Sequence, residues 1–404
     1  MTARQYDVVI VGGGPGGTST ALSLLNTDPD LKVALLEKTS FEKKRVGEIL
    51  KPAAQSLLEH LGVWQEFLEE QYPPAGYIRK IWGRESAPNN TVLPPTEDHQ
   101  GWDIDRRAFD NLLFELANQK GVHTFANHEL MECEKSANDA WHLKAQGPNQ
   151  ESFNFEASFL VDATGQSPFI APKQGAHRVR FDRLVGVFVI FKNDGLVQDS
   201  SVMAETNPHG WWYSILLPDD LTLAAFMTDN DLVGDLELIK SKKWWDLLRQ
   251  TQFTYPRVKS CTPISDFCMR IADSYLLDHV QGDGWVSVGD ASARLDPLSG
   301  HGMCWAMQSG IYASDAIINR LRGNASDLST YQQHMEREYQ NYLLERMQVY
   351  SFETRWAENP FWQRRHKTER MDPQLKSFLS NGRRNLEETQ NFNFFHGFQD
   401  KLAV

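Results

Sequence analysis

Cysteine is scarce in this chain. Cys133, Cys261, Cys268 and Cys304 are the four in 404 residues, and no two of them form a Cys-x-x-Cys pair. A disulfide framework and a structural zinc site are therefore not expected, and no metal is assigned. Long apolar runs are missing as well, since no uninterrupted stretch approaches the roughly 18 residues that span a bilayer. Basic residues are outnumbered by acidic ones, 41 against 53, for a formal net charge of -12. Nucleic acid and anionic membrane surfaces are poor partners for such a chain. Met1–Tyr6 leads straight into a strand, leaving no room for a signal peptide. No internal repeat and no low-complexity tract interrupts the sequence. The expectation is a cytoplasmic protein with neither nucleic acid nor membrane as partner.

What is present is material for a core. The chain is 41% hydrophobic and 23% charged, and at about 150 residues per domain it has length for two to three domains. Tyr6–Val11 is a short β-branched run ending in glycines, the texture of a buried parallel strand. Thr18–Leu25 has helical spacing and Leu31–Leu36 is a second strand, which completes a βαβ unit. Glu48–Leu61 reads as a helix stopped by Gly62, and Arg106–Asn118 as another, with Phe109, Leu112, Leu113 and Leu116 on one face. Gln71–His99 changes texture, with five prolines. Strands are expected over Phe153–Ala163, Arg178–Phe191, Gly210–Met227 and Trp285–Val288, and helices over Met303–Leu321 and Leu328–Thr354. The Rossmann-like pieces are thus dispersed around an inserted sheet. A discontinuous Rossmann-like domain is expected over 1–75, 100–170 and 270–325, an inserted β-sheet domain over 76–99 and 171–269, and a helical C-terminal segment over 326–404.

Two motifs carry chemistry. Gly12-Gly13-Gly14-Pro15-Gly16-Gly17 follows the first strand and opens a helix in the G-x-G-x-x-G pattern. Gly12 permits the tight turn, Gly14 the close approach of a pyrophosphate, and Gly17 the helix–strand contact. The helix N-terminus offers unpaired N–H groups to phosphate. Glu37, with Lys38 beside it, ends the second strand where a carboxylate can bind a ribose. The second motif is Gly289-Asp290 after a strand, followed by Pro297-Leu298-Ser299-Gly300-His301-Gly302 and a long helix headed by Met303. A strand-end Asp can bind sugar hydroxyls, and a glycine-rich helix start can hold an anionic or electron-poor group. Read without a ligand, it is an Asp cap followed by loop glycines.

Taken together, these residues resemble the flavoprotein monooxygenases of the p-hydroxybenzoate hydroxylase type. The matching pieces are Gly12–Gly17 with Glu37, Arg45-Val46-Gly47-Glu48, Asp105–Asp110, Asp162-Ala163-Thr164-Gly165, and Gly289-Asp290 with Pro297–Gly302. The resemblance implies an α/β fold: a Rossmann-like FAD-binding domain with an inserted, mainly antiparallel β-sheet and a helical C-terminal segment. It implies FAD as cofactor. Arg45 and Glu48 would flank the flavin, Arg106 would neutralise pyrophosphate, Asp162 and Gly165 would form the turn beside the cofactor, and Asp290 would bind the ribityl chain. Gly300–Gly302 would present N–H groups to the flavin N1–C2 edge, and His301 is a proton donor or base, or a packing residue.

Val46-Gly47-Glu48 and Gly210-Trp211-Trp212-Tyr213 point toward the tryptophan-halogenase-like branch. Yet Ser299 stands where halogenases carry a glutamate, and the Trp-x-Trp-x-Ile-Pro spacing is broken. Lys80 stands near their active-site lysine in poorly matching surroundings and reads as a surface residue. Glu353-Thr354-Arg355-Trp356 and Asn359–Arg365 resemble the LodB and GoxB type flavoproteins, which accompany quinone-dependent amino-acid oxidases. They also read as an aromatic cap on the FAD domain. That resemblance implies a monooxygenase acting on a tryptophan in the precursor of such an oxidase, during cysteine tryptophylquinone biogenesis. NAD(P)H or a flavin reductase would supply electrons, and Trp211, Trp212 and Tyr213 would wall the substrate. Strand alternation puts Trp211 and Tyr213 on one face and Trp212 on the other, so at least one belongs to the core. The alternatives are a halogenase, a geranylgeranyl-reductase-like oxidoreductase, or a maturation chaperone whose FAD is structural. Cys304, at the head of the long helix, reads as a small buried hydrophobe rather than a flavin attachment point.

Overall fold

A computed structural model describes residues 3–42, 49–75, 78–83, 89–91, 101–197, 199–238, 241–323 and 327–366. The chain opens with β1 (Arg4–Val11), α1 (Pro15–Thr27) and β2 (Val33–Glu37), followed by β3 (Ile49–Leu50) and α2 (Ala54–His60). Next come β4 (Ile78–Ile81), α3 (Arg106–Gln119), β5 (His123–Ala126) and β6 (Ser152–Asp162). Four strands then run in succession: β7 (Leu184–Lys192), β8 (Val202–Asn207), β9 (Gly210–Leu217) and β10 (Leu221–Asp229). After α4 (Ser241–Arg249) come β11 (Trp285–Ser287), α5 (Gly302–Leu321), α6 (Asp327–Ser351) and α7 (Pro360–His366).

The first sheet has β1 at its centre. Its parallel core runs β11-β6-β1-β2-β5, so strands from the start, middle and late part of the chain lie side by side. Val8, Val9 and Ile10 of β1 have no exposed surface, as parallel strands covered on both faces require. Helix α5 crosses α1 at close range: a side chain at Gly310 would lie 2.5 Å from the Gly16 carbonyl oxygen. Ser23 and Ser314 hydroxyls meet across the same contact at 2.6 Å.

The second sheet is mainly antiparallel, with β7, β10, β9, β8 and β4 in that order. Only the β8–β4 pair in this run is parallel. Alternation along β9 sorts its aromatics as the sequence requires. Trp211 and Tyr213 belong to the apolar cluster that holds Tyr350, Phe361, Trp362 and Leu298. Trp212 packs on the opposite face with Phe226, Trp244 and Leu248.

Two expected elements differ. The helix expected over Glu48–Leu61 is instead the short β3 followed by α2 from Ala54. Pro52 explains this: the residue before a proline avoids the helical region, and proline donates no N–H. Gly62 does end the helix, at φ +66. The stretch Arg178–Phe191 divides between two sheets, because Arg178–Arg180 pairs with Tyr275–Leu277 rather than with β10. Asp182 accepts from the Leu184 N–H at 2.9 Å and turns the chain between the two pieces.

Candidate cofactor and active site

The glycines of the first turn divide into two kinds. Gly12 has φ +116, and a side chain there would meet the Ala163 carbonyl oxygen at 2.0 Å. A side chain at Gly17 would lie 1.9 Å from the Gly12 oxygen. Those two are demanded by the fold. Gly14 differs, since a side chain there would meet no protein atom within 4 Å. Gly14 is the N-cap of α1, with no side chain occupying the helix end, and Pro15 fills the first helical position. The space above Gly14 thus opens onto free N–H groups and the positive helix end. Buried Glu37 closes the turn: its Oε2 accepts the Gly13 N–H at 2.8 Å, and its Oε1 accepts the Thr39 N–H and hydroxyl at 2.9 and 2.6 Å. Lys38 is exposed next to it.

The second motif sits against the first. Gly16 approaches Val288 and Gly289 at 3.4–3.5 Å from its Cβ position, and the Gly289 N–H donates to Ser309 Oγ at 2.8 Å. Asp290 is half-buried. Desolvation raises its carboxyl pKa, while the Arg294 and Arg106 guanidinium groups and a hydrogen bond from Gln166 oppose that rise. Tyr275 donates its hydroxyl to the Asp290 carbonyl. Arg106 forks onto buried Asp110 through Nε and Nη2, at 3.1 and 3.0 Å. That pairing fixes the guanidinium at the head of α3, within electrostatic reach of Asp290.

Asp162 is wholly buried, and its oxygens receive Thr164 (N–H and hydroxyl), Ile170 N–H and Ala171 N–H. It holds the turn that carries Gly165 (φ +75) and is spent on protein donors. Asp162 thereby shapes the strand-end turn that the resemblance sets beside the cofactor.

The loop before α5 is pinned from below. Buried Asp296 accepts the Leu298 N–H at 2.9 Å, Arg346 Nε at 3.1 Å and the Tyr350 hydroxyl at 2.8 Å, and its own N–H donates to Tyr342. Pro297–Ser299 then forms one tight turn, and Gly300 adopts the left-handed region at φ +62. Ser299 donates its hydroxyl to the Asp296 carbonyl at 2.8 Å. His301 is the half-buried N-cap of α5, Met303 is buried, and Gly302 is exposed with no atom near its Cβ position. Lys51 lies over Gly300, its Cε 2.9 Å from the Cβ position there.

Two helix N-termini thus lack side-chain caps, with open space over Gly14 and Gly302, and the Gly289-Asp290 element packs against the first of them. This arrangement fits an extended dinucleotide. The family described as FAD binding domain matches residues 5–343. The FAD-dependent oxidoreductase LodB of Marinomonas mediterranea is 30% identical over 365 residues, covering 90% of this chain and 97% of its own. This chain belongs to the FAD binding domain family. Among solved structures, the myxobacterial halogenase CndH superposes with a TM-score of 0.79 at 22% identity, covering 95% of this chain and 91% of its own. QhpG, a peptidyl tryptophan dihydroxylase essential for tryptophylquinone cofactor biogenesis, gives 0.73 at 21% identity, over 91% and 80%. These two likenesses concern the fold.

The flavoprotein's remaining candidates lie at varying distances from those helix ends. Burial pushes the Cys304 thiol up to about 12, so it stays protonated at neutral pH. Trp211 and Trp212 have no exposed surface. Trp211 donates its indole N–H to Tyr350 at 3.1 Å and packs at a tilt on Trp82, while Trp212 meets Trp244 edge-on and Phe226 at a tilt. Neither reaches an open wall. Tyr213, half-buried, keeps an accessible face and meets Trp211 edge-on at 6.5 Å. Glu353 and Arg365, singled out in the C-terminal segment, are buried in ion pairs with Arg355 and Asp229. Trp362 donates its indole N–H to the Asn207 carbonyl at 2.9 Å, so this segment caps the second sheet. Arg45, Glu48 and the side chain of Lys80 lie outside the described residues.

Sequence reasoning missed Lys51, Gln166, Tyr275, Arg294 and the Arg346–Asp296–Tyr350 cluster. Arg294, four residues beyond Asp290, was the one with a local signal. Among the described residues no cluster of His, Cys, Asp and Glu is placed to hold a metal ion, and no helix is long and apolar enough to cross a membrane.

Proposed function

We propose that this flavoprotein is a monooxygenase that hydroxylates a tryptophan in the precursor of a quinone-dependent amino-acid oxidase, during formation of a cysteine tryptophylquinone. The similarity to LodB over nearly the full length of both chains carries the reading. The shared fold of QhpG, which acts on a peptidyl tryptophan, supports it. The loop at Ser299 speaks against halogenation, because that hydroxyl is turned back onto Asp296 and the turn offers no carboxylate to guide hypohalous acid.

Bound FAD would supply the activation of molecular oxygen, drawing electrons from NAD(P)H or a flavin reductase. The chain's own residues do the rest. Gly14 and the head of α1 hold the diphosphate, with Gly16 and Gly17 shaping the turn, and Glu37 takes the ribose. Arg106 offsets phosphate charge, and Asp290 beside Gly289 orients the ribityl hydroxyls. The first turn of α5, reached over Pro297, Gly300, Gly302 and Met303, presents N–H groups to negative charge on the flavin ring. His301 Nε2 or Nδ1 holds or passes a proton at the same place. Tyr213 meets the substrate, with Trp211 supporting it from below.

The test is the mass of the partner's tryptophan peptide, from cells with and without this chain. The expected result is a gain of oxygen that needs the chain; a partner that matures without it overturns the reading, as does bromination of tryptophan by the FAD-loaded protein. His301→Ala should retain FAD and slow oxygenation by about 10²-fold or more if it transfers the proton. Unchanged turnover would leave His301 as a packing residue.

A further inference from the structure

We propose that Lys51 is a cofactor-side cation that, together with the N-terminus of α5, favours the reduced, negatively charged form of FAD. The proposal rests on the FAD site and is independent of which substrate is oxygenated.

The position of Lys51 is built rather than incidental. The antiparallel pair of β3 with Trp102–Asp103 fixes the chain just before it. Pro52 follows, and the Lys51 carbonyl accepts the Ala54 N–H at 2.9 Å to start α2. The side chain then runs across the surface of Gly300, placing Nζ 3.4 Å and Cε 2.9 Å from the Cβ position of that glycine. Gly300 is required for its φ of +62, and the lysine tip lies over the bare backbone there. Lys51 also neighbours the buried Cys304 thiol, whose rise in pKa its charge opposes.

Two positive features therefore converge within one loop. The head of a 20-residue helix at exposed Gly302 contributes a partial charge, and Lys51 contributes a whole one. Reduction of the flavin ring places negative charge on its N1–C2 edge, and a nearby cation stabilises that state more than the neutral oxidised one. With the Coulomb attraction screened most of the way to its value in water, this difference corresponds to about tenfold in an equilibrium constant.

The experiment uses the FAD-loaded protein with Lys51→Gln and Lys51→Arg. Sulfite, whose addition leaves an anionic flavin ring, is titrated by loss of the visible flavin band. The two-electron midpoint potential is read by equilibration with a reference dye. Lys51→Gln should weaken sulfite about tenfold and lower the potential by about 30 mV, the same factor for a two-electron couple, while Lys51→Arg should stay near the parent. An unchanged potential and sulfite affinity in Lys51→Gln overturns the proposal. If that variant arrives without FAD, its affinity for oxidised and for reduced FAD is measured: a greater loss for the reduced form supports the proposal, and an equal loss overturns it. Neither readout requires oxygen transfer to tryptophan, so failure here and failure of the proposed reaction are separable.

Discussion

At Gly12–Gly17 the main chain is left bare, because side chains at Gly12 and Gly17 would collide with carbonyl oxygens while Gly14 faces open space. Below the loop at Pro297–Gly302 the reverse holds. There Arg346 and Tyr350 of α6 reach through the core to the Asp296 carboxylate, Tyr342 accepts the Asp296 N–H, and the loop takes its shape from them. The first region is a run of six consecutive residues, enclosed by Glu37 and the Ala163 carbonyl. The second joins residues some fifty positions apart. A backbone site tolerates almost no local change, whereas a side-chain scaffold concentrates its dependence in a few buried charges.

The sharpest way to break this contrast lies within the glycine turn. Gly17→Val drives a side chain into the Gly12 carbonyl oxygen and should abolish the fold, a loss above about 4 kcal/mol, seen as absence of a cooperative melt. Gly14→Val meets open space, so the apoprotein should melt normally while the flavin absorbance disappears. Similar stability of the two variants would show that the turn is not divided between fold and ligand.

Next in size is Arg346→Met. Arg346 Nε bonds Asp296, and its Nη2 lies 2.7 Å from Asp182, close in distance though off the hydrogen-bonding angle. Removing it leaves two buried carboxylates without their cation, which should cost about 3–5 kcal/mol in a urea titration. A cost below about 1 kcal/mol would mean that the loop does not depend on this cluster.

The smallest effect concerns Glu338 on the same helix. Burial pushes its carboxyl up to about 7, against the attraction of Arg337. Because the folded state holds this proton more tightly than the unfolded chain, the stability it contributes is complete below the ordinary carboxylate value near 4.5 and is lost as pH rises through about 7. Melting temperature should fall over that window, and Glu338→Gln should remove the slope, recovering on the order of 2 kcal/mol at pH 8. An identical pH profile in the variant would refute the assignment.

Much of the first region was readable from spacing. The turn, Glu37, the head of α3 and the Gly289-Asp290 element are local patterns with a physical cause, and their adjacency follows from the order of parallel strands. The fate of Trp211 and Trp212 was not readable. Alternation separates their faces, but only the placement of α4 and α7 shows that both faces are covered. Lys51 escaped notice because its meaning depends on Gly300, far along the chain. The helix expected from Glu48 failed for a local reason that was present, Pro52.

The pinning of Asp296 also sets an order for biosynthesis. Its partners on α6 leave the ribosome some fifty residues after the loop they shape, and domains generally fold as units during synthesis, N-terminal parts first. The first βαβ unit can begin to form early, but the Pro297–Gly302 loop waits for Tyr350. Nascent chains halted before that residue should lack a finished flavin pocket, so the colour of the protein arrives late in translation.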